Sequence, residues 1–182
     1  MEPQDTTRQP ARDAAETPAA KTYAPSLTLY HANMKGTGSA VQFEVRPATA
    51  DREGCWFMSM AAQKSIGQGA NADGGRKNAT FAWAEKITAK LNFADLSAML
   101  MVFEGKEKSM GDGKGLYHDS ADFSTIISLA ESTGDIPGYT LELSKKQKHD
   151  GSLSRVRLLL RPAEALGLAR LITGTLPRIA FG

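Results

Sequence analysis

The chain has 182 residues, 41% of them hydrophobic, which suits one domain that buries about two thirds of the surface its unfolded form exposes. Its single Cys excludes an internal disulfide framework and a multi-cysteine zinc ribbon, no apolar run approaches the roughly 18 residues of a membrane helix, and no charged-then-apolar leader opens the chain, so a secreted or membrane protein is not expected. Net charge is +2, from 22 Lys and Arg against 20 Asp and Glu, too mild for composition to mark a nucleic-acid binder.

Residues 1–25 hold four of the eight prolines and no Ile, Leu, Val, Phe or Trp. Such a stretch cannot bury enough apolar area to offset its ordering entropy, so a disordered tail is expected, followed by one domain over 26–182.

From Leu27 the hydrophobic period is two, as in strands with one buried face. Val41, Phe43 and Val45 alternate with Gln42, Glu44 and Arg46. Cys55 to Ala61 is rich in aromatics and Met, and the Gly67–Gly75 stretch after it reads as a long hairpin loop. The run Phe81 to Leu91 places Phe81, Trp83, Ile87 and Leu91 on one side and Lys86, Thr88 and Lys90 on the other. At Asn92 the pattern changes: Asn92 is a good N-cap, Asp95 faces the positive helix end, and Leu96, Met99, Leu100 and Phe103 recur at helical spacing until Gly105.

After a loop containing Gly111, Gly113 and Gly115, alternation returns in Phe123–Leu129, Tyr139–Lys145 and Leu153–Arg161, with His149-Asp150-Gly151 as a tight turn. Pro162 suits the first position of a last helix, Glu164 its first turn, and Leu168, Ile172 and Leu176 one side of it. Pro177 is expected to end it. Lys86-Ile87-Thr88 to Phe103 and Arg155-Val156-Arg157 to Ile172 share a layout of basic strand, cap, acidic first turn and amphipathic helix, offset by 69 residues. This indicates a duplicated ββββα unit, two antiparallel four-stranded β-sheets each followed by a helix, in an α+β fold.

Three stretches carry a resemblance: Ala163-Glu164 followed at fixed distance by Leu176-Pro177 and Ile179, Trp83 leading into a basic strand, and Lys35-Gly36-Thr37-Gly38-Ser39-Ala40 near the start of the domain. Together they resemble the Whirly family of single-stranded DNA-binding proteins over about residues 27–181, with Thr37 standing where the family has a second lysine. The resemblance implies a pinwheel homotetramer built through its helices, with single strands held along the sheet edges between protomers and little sequence preference.

Binding of that kind needs cations for phosphates and flat faces for bases. Lys86 and Lys90 on one strand and Arg155 and Arg157 on its counterpart form paired basic stripes. Lys35, Lys64, Arg76 and Lys77 are further cationic candidates, and a second glycine-rich loop adds Lys106, Lys108 and Lys114. Tyr30, Trp56, Phe57 and Trp83 are the stacking candidates, and alternation alone leaves open which of them are core. The glycine-rich loops do not match a phosphate-cradling P-loop, because Gly75 fills the lysine position.

The expected function is single-stranded DNA binding in DNA maintenance or transcription regulation, without catalysis, cofactor or metal. The expected place is a nucleoid-associated cytoplasmic one in a bacterium, or the nucleus or an organelle in a eukaryote. Single-stranded RNA binding and a non-binding assembly module are the alternatives. An enzyme built on Cys55 with His31 or His118, oriented by Asp119 or Asp122, has no motif behind it.

Overall fold

The computed structural model describes residues 26–69 and 77–182; the expected tail, 1–25, lies outside the described residues. Strands β1 (Ser26–His31), β2 (Ser39–Arg46) and β3 (Cys55–Ser65) form an antiparallel ladder. The fourth place in the sheet is shared by β4 (Thr80–Phe81) and β5 (Ile87–Leu91), both paired with β3.

The single strand expected from Phe81 to Leu91 is therefore broken. Residues Trp83–Glu85 form a 3-10 turn, closed by Glu85 N–H donating to Ala82 O at 3.0 Å, opposite a register shift between Gln63 and Ser65. The stretch Ala82-Trp83-Ala84-Glu85 lacks the β-branched residues that hold a pleat and carries good helix formers instead. Trp83 leaves the ladder as a result.

Helix α1 (Phe93–Phe103) begins with a reciprocal cap: Asp95 N–H donates to Asn92 Oδ1 at 3.0 Å, and Asn92 N–H donates to Asp95 Oδ2 at 2.8 Å. The second half repeats the plan with β6 (Leu116–Asp119), β7 (Phe123–Glu131), β8 (Tyr139–Gln147) and β9 (Leu153–Leu160) in consecutive antiparallel order. Strand β6 has four residues, too few for periodicity to place. The turn at Asp150-Gly151 forms as expected, with Gly151 at φ +72 and Ser152 N–H donating to Asp150 Oδ1 at 2.8 Å.

Helix α2 (Pro162–Ala180) runs through Pro177 rather than ending there. The last turn survives because its carbonyls find partners outside the helix. Ala48 N–H donates to Arg178 O at 2.9 Å and Gly54 N–H to Ile179 O at 3.2 Å, so the β2–β3 connection caps the helix end. A Cβ on Gly54 would meet the Ile179 backbone at 2.6 Å, and the glycine allows that approach.

Register puts Leu27, Leu29, Val41, Phe43, Trp56, Met58, Met60, Ile87, Ala89 and Leu91 on one face of the first sheet. This face packs with Ile127, Leu129, Leu141, Leu143, Leu158 and Leu160 of the second sheet and with Leu96, Met99, Leu168 and Ile172 of the helices, in one core. Each such large side chain contributes about 1.5–3 kcal/mol on burial.

Two histidines cross-brace the halves. His31 Nε2 on β1 donates to Glu164 Oε1 at the start of α2, and His118 Nε2 on β6 donates to Asp95 Oδ1 at the start of α1, each at 2.9 Å. Glu164 also accepts from the N–H of Arg161, its N-cap, at 2.8 Å, as Asp95 does from Asn92. The first strand of each half is thus tied to the other half's helix.

Candidate nucleic-acid interface

Because β1 alternates, Tyr30 points away from the core while Leu29 and His31 point into it. Tyr30 is 59% exposed. The turn that takes Trp83 off the ladder brings its ring to Tyr30, edge to face at a centroid distance of 6.4 Å and 89°, and Phe81 lies 5.3 Å away at 47°. Three aromatic rings from β1, β4 and the 3-10 turn form one partly exposed cluster at the rim of the first sheet.

A cleft of about 390 Å³ beside this cluster is lined by Tyr30, Asn33, Thr37, Arg157, Arg161 and Glu164. Ser39 Oγ donates to Arg157 O at 2.6 Å and holds β9 against β2 there. Lys35 sits on the adjoining exposed loop, which one buried amide organises: Gln63 Oε1 accepts from Asn33 N–H at 2.9 Å and Gly38 N–H at 3.0 Å, and Gln63 Nε2 donates to Asn33 O at 3.0 Å. A Cβ at Gly38 would collide with His31 O and Gln63 Oε1, so the clamp requires glycine. Lys77 reaches the same loop from the other side, lining a groove of about 380 Å³ with Asn33 and Met34.

The expected stripes are dispersed over several surfaces. Lys90 is exposed on the outer face of β5, in register with half-buried Phe57. Lys64 is exposed near the end of β3. Lys86 lines a groove of about 260 Å³ with Phe123 and Lys145, whose Nζ lies 4.2 Å from the Phe123 ring centroid. Arg155 and Arg157 stand on the outer face of β9 and share Glu142, with Arg155 Nε 3.3 Å from Oε1 and an Arg157 guanidinium nitrogen 2.7 Å from Oε2. Arg76 lies outside the described residues.

Trp56 is not a stacking residue. It is 2% exposed, packs edge to face on Phe43 at 5.8 Å and is part of the core. Register decides this, since Trp56 pairs with Val45 and Leu91 on the inward face and its neighbour Phe57 turns outward.

Arg161 and Lys145 were not expected at the site. Alternation carries a signal for Lys145, which follows Leu141 and Leu143 on the inward face and emerges at the end of the strand. Arg161 carries none, being the N-cap of α2.

Asp119 forms a separate surface cluster. Lys148 Nζ donates to it at 2.9 Å and the Tyr117 hydroxyl at 3.0 Å. The Lys148 bond first, then that of Tyr117, holds its carboxyl below the usual carboxylate range. His118 is engaged by Asp95 rather than by Asp119 or Asp122, and Cys55 is buried.

No family sequence model matches the chain, and a search of curated proteins found no match by sequence. Solved structures do match by shape. The Whirly protein WHY1 from Arabidopsis thaliana superposes with a TM-score of 0.66 at 15% identity, over 95% of this chain and 89% of that one. The plant transcriptional regulator PBF-2 gives 0.65 at 15%, over 87% and 83%. A guide-RNA-binding protein complex bound to its RNA gives 0.51 at 16%, over 85% and 90%. At such identities the likeness is one of architecture, and this chain has the Whirly α+β fold.

Proposed function

We propose that this chain binds single-stranded DNA with little sequence preference, as a homotetramer, in DNA maintenance or transcription regulation. The observation that carries the reading is the rim cluster of Tyr30, Phe81 and Trp83 beside the cleft lined by Arg157 and Arg161. Stacked rings accept any base, and guanidinium groups pair with phosphates regardless of sequence. Duplex DNA presents no free base face to the cluster, so selection for single strands comes from stacking and affinity from phosphate neutralisation.

Assembly is supported by apolar side chains left uncovered on the helices: Phe93 and Met101 on α1, Leu166 and Leu171 on α2. These would pack between copies. Light scattering on the purified protein reads four chains under this reading.

Single-stranded RNA is the second reading, favoured by the fold shared with a guide-RNA-binding complex. The deciding experiment is a fluorescence-anisotropy titration with equal-length single-stranded DNA, single-stranded RNA and duplex DNA at two salt concentrations. Tighter binding to single-stranded DNA, weaker binding to duplex and a fall with salt are expected. Preference for RNA selects the second reading, and no binding to any probe at low salt removes both.

A further inference from the structure

A small apolar groove opens beside Ser26, the first of the described residues. It has a volume of about 190 Å³ and is lined by Leu27 of β1, Phe43 and Val45 of β2, Trp56 of β3, and Leu171 and Thr175 of α2. Phe43 and Trp56 belong to the core, whereas Leu171 is 46% exposed, so one wall of the groove stands in solvent. The indole N–H of Trp56 is already satisfied by Thr175 Oγ1, and the groove therefore asks for an apolar occupant. A cavity of roughly 150 Å³ admits one aromatic ring, and this one is of that order.

The β1–β2 register says which residues of the preceding chain point towards it. Leu27 pairs with Phe43 and Leu29 with Val41, all on the inward face. Tyr23 and Pro25 share the parity of Leu27 and Leu29, while Thr22 and Ala24 share that of Thr28 and Tyr30, which face outward. One further ladder step sets Pro25 opposite Val45. Tyr23 is then the diagonal neighbour of Val45, within reach of an aromatic side chain. β1 is an edge strand, where a proline is tolerated, and Tyr23 is the only aromatic residue in 1–25.

Helix α2 runs beside β1 in the opposite direction. Its start meets His31 through Glu164, Leu171 and Thr175 flank Leu27, and Arg178 reaches Ala48. A strand prolonged before Ser26 therefore stays alongside the helix, and the space at Gly174 is open, with no atom within 4 Å of where a Cβ would stand.

The chain's own segment suits the groove better than a second copy does. Pro25 is bonded to Ser26 at the rim, so docking in cis avoids the translational and rotational cost that a separate molecule pays. Of the four uncovered helix side chains, Leu171 lines this groove, and Phe93, Met101 and Leu166 stay free for contacts between copies.

We propose that the groove is the docking site of Tyr23-Ala24-Pro25, which prolong β1 and seat the Tyr23 ring between Val45 and α2, so that the folded domain starts at residue 23. The inference is independent of what the chain binds. Urea unfolding of the full chain compares wild type, Tyr23→Ala, Thr22→Ala, Val45→Ala and the Tyr23→Ala, Val45→Ala double variant. A second arm places the photocrosslinker p-benzoylphenylalanine at position 23 of the otherwise unchanged chain.

Tyr23→Ala is expected to lower the folding equilibrium constant by about tenfold, and Thr22→Ala, on the outward parity, by less than about twofold. The effects of Tyr23→Ala and Val45→Ala should be non-additive by about threefold or more, as for side chains in contact. The crosslink should form within one chain, on β2 or on α2 between Leu171 and Arg178. Wild-type stability of Tyr23→Ala, equal loss from Thr22→Ala, or additivity with Val45→Ala would each overturn the proposal. A crosslink between chains would give the groove to a second copy and overturn it as well.

Discussion

Trp56 Nε1 donates to Thr175 Oγ1 at 3.1 Å, joining the middle of the first sheet to α2 across 119 residues of chain. Both flanks of that indole are core, so the bond is the sole polar claim on an otherwise apolar ring. Trp56→Ala is expected to cost about 3–5 kcal/mol of stability in urea unfolding. Thr175→Val keeps the volume but strands the indole N–H, for about 1–3 kcal/mol. If folded Thr175→Val binds single strands as wild type does, Trp56 acts through stability alone.

Glu142 pairs with two arginines, Arg155 and Arg157, and under the single-strand reading it competes with phosphate for them. One carboxylate at about 5 Å from a phosphate charge in water is worth about 0.8 kcal/mol of repulsion, or roughly fourfold in affinity. Glu142→Gln is therefore expected to tighten single-strand binding by about that factor, with a steeper salt dependence. Anisotropy at two salt concentrations reads both. Weakened binding would mean that Glu142 aims Arg155 and Arg157 rather than masking them.

Lys86→Ala combined with Arg155→Ala removes one cation from each half of the duplication. The double variant is expected to weaken binding to every base composition alike and to lower the slope of log affinity against log salt by about 1.4, two single-strand phosphate contacts at about 0.7 each. A loss confined to one homopolymer would contradict backbone contact.

Acid titration probes the surface cluster on β6. The lowered carboxyl of Asp119 contributes stability that is present above the value of an unfolded aspartate, about 3.9, and is lost as pH falls through the lower folded value. The gap in urea midpoint between wild type and Asp119→Asn should stay constant from neutral pH to about 5 and close as the acid range is entered. The pair is exposed, so the gap is small. A gap that widened in acid would reverse the assignment.

The parts of the fold legible in the sequence are those governed by local rules. Asn92 with Asp95, Pro162 with Glu164, and the period-two runs around Val41, Leu141 and Leu153 depend on neighbours two to four residues away, and all form where expected. Pro177 defeats the local rule because Ala48 and Gly54, more than 100 residues earlier, cap the carbonyls beyond it. Trp56 and Trp83, both stacking candidates, are told apart by partners equally far along the chain. An alternating strand shows that one side faces inward, but only pairing with Val45 and Leu91 says which, and the register shift in β3 lies opposite the turn that takes Trp83 off the ladder. Lys35, Lys77 and Arg157 are visible in the sequence as cations, and their placement around Tyr30 and its loop is set by packing of β9 on β2 and by the Gln63 clamp.

The exchanged histidines have a consequence for a severed chain. A fragment ending between Gly105 and Ser109 would keep His31 without Glu164 and Asp95 without His118, and its apolar sheet face would lie bare. The other fragment would hold the complementary orphans. Neither half of the duplication is a small protein in its own right, and the two pieces are expected to fold only by complementing each other, as partners in a non-covalent pair.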